Sequence, residues 1–347
     1  MLTWLATAVF VIVSAQGATG APPSAASGEL HCGSRVEMGT EFKICVYAPA
    51  EKSLNVRQDL NEAFDGIKKM DAWMSDWRPE TELSRVNQAA GARAVKVSKE
   101  LFGLVAFALE VARESQGAFD PTFNAFWGLY KFKKGEEREP TDEEIAERLP
   151  LIDYRNVTLN RADSTILLKK PSMKLGLGGL GQGYAVDKTV ELLKKRGYAA
   201  GYVDGSGDTY FWGKKPTGEL WTAGVRDPSN HERVVARVYG TDFAVTTCGD
   251  DEKFFLKNGR RVHHIIDTKS GRPATRSRQT TVIARRALDA DAFDTASFVL
   301  GPVEALKLLK SKDLEGVLIG ADGRVTLTPG LKKRQTEWGE VLEAALR

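Results

Sequence analysis

Residues 175–208, LGLGGLGQGYAVDKTVELLKKRGYAAGYVDGSGD, decide how the rest of the chain is read. An apolar run leads into glycines, a helix-like segment follows from about residue 182 to 195, and Asp204 ends a second strand-like run. Gly176, Gly178 and Gly181 satisfy G-x-G-x-x-G, which in a parallel βαβ unit binds a dinucleotide at the helix N-terminus. That reading requires further βαβ units downstream. Instead TYFWGKK, LWTAGVRDP, ERVVARVYG and DFAVTT, between residues 209 and 247, are short β-rich runs divided by Gly, Pro, Asn and Asp. They point to antiparallel strands after a single crossover, and away from a nicotinamide dehydrogenase.

The chain has 347 residues, 42% of them apolar, and a net charge of +3. That is enough to bury a large core. No basic block with interleaved aromatics occurs, which argues against a nucleic-acid partner. Residues 2–13 are apolar and are followed by small residues around Ala15, Ala18 and Ala21, the pattern of a secretory signal, although no Lys or Arg precedes it. Residues 1–20 are therefore read as a signal peptide, 21–34 as a flexible lead, and 35–347 as a single domain. The expected location is exported, periplasmic or cell-envelope, with no transmembrane span in the mature chain. Cys32 and Cys45 can pair in such a compartment. Their spacing does not suit zinc.

Around the glycine unit, RVEMGTEFKICVYA reads as a strand or hairpin. Leu54, Leu60, Phe64, Ile67, Met70 and Met74 recur at helical spacing over residues 53–75, and residues 98–115 form a second helix. Residues 131–149 are a charged insertion read as a solvated face, with a capping box, Thr141 and Glu144, opening a short helix. VTLN and TILLKK are strands, helices are expected at 291–300 and 302–311, and Asp322-Gly323 turns a final hairpin.

Two segments carry chemistry. In ADAFDTA, residues 290–296, a helix starting near Asp291 puts Asp291, Asp294 and Thr295 at i, i+3 and i+4 on one face. Two carboxylates and a hydroxyl are hard donors suited to Mg²⁺. The competing reading is that these acids cap a helix N-terminus. In HHIIDTKSGRPA, residues 263–274, a histidine beside a metal-bound phosphate can accept a proton from an attacking hydroxyl, whereas a strand histidine is ordinarily structural. Cys248 lacks an activating neighbour in sequence, which argues against a nucleophilic thiol.

Taken together and in order, these segments resemble the ApbE family of FAD:protein FMN transferases. The correspondence runs through MGT (38–40), MSDWRPETELSRVN (74–87), GAFDPT (117–122), GQGYAVD (181–187), GSGD (205–208), TTCGDD (246–251), HHIIDTKSG (263–271) and ADAFDTA (290–296). The resemblance implies a single α/β (α+β) domain of mixed, largely antiparallel sheets with flanking helices. It also implies Mg²⁺-dependent transfer of FMN from FAD to a Thr or Ser hydroxyl of an exported redox protein, with release of AMP. By the same resemblance His264 is the proton acceptor, and Gly179, Asp291, Asp294 and Thr295 hold the metal. Met38, Trp77, Ala118, Phe119, Asp120, Gly176, Gln182 and Ile265 then face FAD.

Two positions depart from the family pattern, which has Asp where Gly176 stands and Lys where Gln182 stands. Losing one charged hydrogen bond costs about 1.5–3 kcal/mol. Smaller departures are Gly179, Ser206 and Cys248. The alternatives this leaves open are an FAD pyrophosphatase yielding FMN and AMP, and an FAD-binding protein with weakened catalysis.

Overall fold

In a computed structural model of the chain, residues 28–331 and 336–338 are described. The residues read as a signal peptide lie outside that range. Eight strands form the main sheet in the order Glu29–Glu37, Thr40–Ala48, Gly201–Gly205, Asp208–Trp212, Phe243–Gly249, Ser277–Ala284, Glu315–Gly320 and Val325–Leu327. Every neighbouring pair is antiparallel. The expected mixed, antiparallel α/β architecture is therefore present, and among the described residues there is no parallel sheet of the dinucleotide-binding kind.

The helices are α1 (Ser53–Met74), α2 (Glu82–Gln88), α3 (Lys99–Glu114), α4 (Asp142–Arg148), α5 (Gly181–Lys195), α6 (Ala287–Leu300) and α7 (Pro302–Ser311). Strand alternation sorts the two faces of the sheet. Ala244 and Val282 join the core under the helices, whereas Phe243, Val245 and Ile283 join a second core with Trp221, Ala223 and Val238. That second core is covered by a small sheet of Trp221–Asp227, Asn230–Gly240 and Thr336–Trp338. α1 buries Val56, Leu60, Ala63, Phe64, Ile67 and Met74, one helical stripe. No described helix is long and apolar enough to cross a membrane.

Several boundaries differ from the sequence reading. The apolar run at 175–180 is not a strand, because Gly176.N–H bonds the Pro121 carbonyl (2.8 Å) and the segment folds as a loop against Asn124 rather than in a sheet. Residues 29–34, counted within the flexible lead, are strand, paired residue for residue with 43–48 and fastened by a Cys32–Cys45 disulfide. The charged insertion is more than a solvated face. The side chain of its Glu139 is 4% exposed and accepts from Lys257 (3.0 Å), Arg260 (2.6 Å) and Arg272 (3.3 Å), which ties the insertion to the segments on either side of the histidines. The Thr141–Glu144 capping box is formed as expected.

Candidate active site

The glycines of the opening stretch serve close packing of helices. A Cβ on Gly183 would lie 2.4 Å from the Ala287 carbonyl oxygen and 2.9 Å from Asp291 Cβ, so α5 and α6 can touch only through glycine. Gly183.N–H donates to Asp291 Oδ2 at 3.0 Å. The positive end of α5 is thereby aimed at that carboxylate. Gly181 abuts Met74 and Met38, its Cβ position lying 3.3 Å from Met74 Sδ and 3.5 Å from Met38 Cε. Met38 occupies a left-handed backbone position, φ 52°, in the two-residue turn between the first two strands, and turns its side chain toward α5.

α6 begins at Ala287, four residues before the expected start, so Asp291 and Asp294 are not first-turn caps. That role falls to Asp187 of α5, whose carboxylate accepts from Ala287.N–H (2.8 Å) and Leu288.N–H (3.0 Å). Burial pushes Asp187 up to about 6, against the pull of those two amides. The acids of α6 are thus free for other work. Asp294 is fully buried, its Oδ1 accepts from the Thr280 hydroxyl, and its Oδ2 has no partner. Cys248 Sγ sits 3.2 Å from the same Thr280 hydroxyl, and burial raises its thiol well above the ordinary range, which removes it as a nucleophile.

A third carboxyl that the sequence reading passed over, Asp208, joins this centre. It opens the strand Asp208–Trp212, 5% exposed, on the face of the sheet under the helices. Burial raises Asp208, and the charges of Asp291 and Asp294 raise it further. Asp291 and Asp294 are likewise raised by burial. Among the described residues no Lys or Arg pairs with any of the three. Isolated buried carboxylates are costly, and a cation or a proton must offset them.

Gly179 and Thr295 meet at the edge of this centre. The Cβ position of Gly179 lies 3.4 Å from Thr295 Oγ1 and 3.2 Å from the Phe119 ring. Among the described residues no three His, Cys, Asp or Glu side chains converge closely enough to hold a metal by themselves. A hydroxyl and a main-chain carbonyl must therefore complete any shell around Asp291 and Asp294. The orphaned Asp294 Oδ2, buried and without a counter-charge, fits a hard divalent cation.

The two histidines divide their roles. His263 is buried, Nδ1 accepting from Ile265.N–H (3.3 Å) and Nε2 donating to the Ala274 carbonyl (2.9 Å). Its ring meets Phe298 of α6 edge-on, 5.6 Å between centroids. His264 is half-buried, and its Nδ1 has no partner. Desolvation, with Lys253 and His263 nearby, pushes it down to about 3, so the ring is neutral at neutral pH. Ile265 and Ala118 pack with Phe298, Val299 and Cys248, joining three of the sequence segments to the second half of α6 in one cluster.

The other candidate positions are distributed as follows. Asp120 is structural: Oδ1 accepts from Thr122.N–H and its hydroxyl, and Oδ2 from Tyr154.N–H, leaving little acceptor capacity for a ligand. Gln182 is half-buried in the first turn of α5. At Gly176 a Cβ would come within 2.8 Å of Asn124 Cβ. Asn124 fills that space, donating to the Leu175 carbonyl (3.1 Å) and reaching the Asp76 carboxylate. Trp77 stands exposed, stacked on Trp127.

Fold and site together define a mixed α/β protein with a buried acidic centre where α5, α6 and the sheet meet. The ApbE family profile matches residues 38–318, and the chain belongs to that family. It is 32% identical over 320 residues to an FAD:protein FMN transferase of Treponema pallidum, covering 87% of this chain and 88% of the relative. A Haemophilus influenzae protein of the same name is 30% identical over 313 residues, covering 87% and 90%. The crystal structure of the ApbE protein of Thermotoga maritima superposes with a TM-score of 0.82 at 27% identity, over 89% of this chain and 100% of that one.

Proposed function

We propose that this chain is an FAD:protein FMN transferase. Its substrates are FAD and a Thr or Ser hydroxyl of an exported redox protein, and its products are the FMN-bearing protein and AMP. The observation that carries the reading is the buried Asp294 Oδ2, left without a hydrogen-bond partner or counter-charge, in a chain belonging to the ApbE family.

Asp291, Asp294, the Thr295 hydroxyl and the Gly179 carbonyl are the residues that would hold Mg²⁺. Bound there, Mg²⁺ supplies charge neutralisation for the FAD pyrophosphate. In the transfer, the acceptor oxygen bonds to the FMN-side phosphorus, the phosphoanhydride bond to AMP breaks, and the hydroxyl proton passes to His264 Nδ1. Neutral His264 has the lone pair this needs, and a phosphate anion beside it raises its basicity. Gly183.N–H fixes Asp291. Ala118 and Phe119 provide an apolar wall, and Met38 packs against Gly181 at the start of α5 from its left-handed turn. Asn124 occupies the place left by Gly176, so an uncharged amide stands there. The Cys32–Cys45 disulfide supports export to an oxidising compartment.

The test is the intact mass of a threonine-bearing acceptor domain incubated with the protein, FAD and Mg²⁺. An FMN-sized gain, lost with EDTA and lost in Asp291→Ala, is expected. AMP release at the same rate without acceptor, and no mass gain with it, would replace transfer by FAD hydrolysis.

A further inference from the structure

We propose that the crevice between the open edge of the strand Trp221–Asp227 and the adjoining end of the main sheet binds the hydroxyl-bearing segment of the acceptor protein in extended form. The proposal rests on the flavin-transfer reading above and gives its second substrate a docking site. The crevice, with its mouth, has a volume of about 460 Å³, within the range of binding clefts. Gly207, Thr247, Gly249 and Gln279 of the main sheet line one side, and Gly224 and Arg226 the other. Thr247 precedes Cys248, Gln279 precedes Thr280 and Gly207 precedes Asp208, so each is the chain neighbour of a residue of the acidic centre. Strand alternation therefore sets the crevice behind that centre, on the other face of the sheet. Phe119, Gly179 and Thr295 meet on the helix side, so FAD held there leaves the crevice open. Glu252 stands at the lip between the two. It lines the crevice, and its charge adds to the burial that raises Asp294 and Cys248. About two extended residues, at about 3.3 Å each, carry a chain over the sheet end from one face to the other.

The lining selects the occupant. Among the described strands Trp221–Asp227 pairs only with Asn230–Gly240, so its other edge is open. Gln279 Nε2 donates to the Arg226 carbonyl at 2.9 Å, which turns this edge toward the crevice. An open edge is a template for an added strand. The pairing register shifts between Val225 and Asp227 and again between Ser277 and Gln279, and both irregularities border the crevice. Such bulges end ladders and re-aim groups beside sites. Arg226 disfavours a free cation there, and Asp251 and Glu252 disfavour a free anion. A neutral main chain, carrying both N–H and C=O, suits donors and acceptors set side by side. The glycines at 207, 224 and 249 leave main-chain atoms within its reach. His231 Nε2 meets Asp251 Oδ2, tying the strand Asn230–Gly240 to the turn after Phe243–Gly249, so the walls are fixed before the partner arrives.

The experiment uses the threonine-bearing acceptor domain of the mass assay above, and the same domain with its reacting threonine replaced by valine, which reads binding without transfer. Gly224→Trp fills the crevice and Arg226→Glu reverses the charge of its wall. Each is expected to raise KM for the acceptor domain by about tenfold or more, with kcat and the calorimetric affinity for FAD unchanged. Arg226 is half-buried, so Arg226→Glu carries the test if Gly224→Trp does not fold. Hydrogen exchange of the wild type with the valine domain, in FAD and Mg²⁺, should slow the main-chain amides of residues 221–227 and leave those of 29–48 as they are. An unchanged acceptor KM in the folded variants, or no slowing at 221–227, overturns the docking site. Loss of FAD affinity in the folded variants also overturns it, because the crevice then belongs to the FAD site. Absence of an FMN-sized gain with the wild-type protein removes the flavin-transfer reading itself, and the docking site with it.

Discussion

Replacing Gly183 by alanine separates two opposed physical effects. Alanine is the better helix former by about 1 kcal/mol, so α5 considered alone is stabilised. In the folded protein the added Cβ meets the Ala287 carbonyl oxygen at 2.4 Å and its carbon at 2.7 Å, both main-chain atoms that no rotamer can move. Restoring van der Waals contact requires α6 to retreat by about 1 Å. Overpacking of this kind costs about 1–3 kcal/mol. The retreat also lengthens the bond from the residue-183 amide to Asp291 Oδ2, a charged acceptor, at a further cost of about 1.5–3 kcal/mol if it is lost. The net expectation is a loss of roughly 2–4 kcal/mol, or about 3–6 °C in Tm for a domain of this size. Asp291 moves with α6, so the stabilisation by Mg²⁺ falls as well. Thermal melts in EDTA and in a Mg²⁺ series report both. A variant that melts at or above wild type in EDTA, with an unchanged Mg²⁺ shift, would refute the close-packing account of this glycine.

Asp294→Asn removes a buried carboxylate that has no counter-charge, so the variant is expected to melt at or above wild type in EDTA yet to lose the Mg²⁺-dependent rise; a lower Tm in EDTA would count against the cation site. Asp187 titrates at about 6 in the fold against an ordinary value near 4, so the folded state holds its proton where the unfolded chain has released it. Its contribution is present below about pH 4 and is lost as pH rises through 6. Asp187→Asn should accordingly gain on wild type between pH 4 and 6 in urea melts, and a pH-independent difference would contradict that assignment. Reducing the Cys32–Cys45 bridge with dithiothreitol should cost about 2–4 kcal/mol, which Cys32→Ala should reproduce and make insensitive to reductant.

Much of the fold was legible because its signals are local. Met38-Gly39 and Asp322-Gly323 lie where hairpins turn, the α1 stripe is periodic, and the runs after residue 208 are strands. What escaped was set by contacts distant in sequence. The start of α6 was misjudged because its cap, Asp187, sits on another helix. Asp208 looked like the end of a glycine turn, and only its parity with Tyr210 and Trp212 along the strand hinted that it faces the helices. Gly181 matched a phosphate-binding pattern while serving close packing against Met74 and Met38, since both uses demand the same missing side chain. Asp291, Asp294 and Thr295 were found because their spacing survives a shift in helix start.

The sheet order sets a timetable for assembly. The strand Thr40–Ala48 lies against Gly201–Gly205, so the whole excursion between them, α1 to α5, must emerge before the first hairpin has a neighbour on its inner edge. The acidic centre waits longer still, for α6. Pairings so remote in sequence close slowly, because chain entropy is spent before the contacts form. A nascent chain of this protein therefore passes most of its synthesis without a finished acidic centre. For that period the inner edge of its first hairpin stays unpaired.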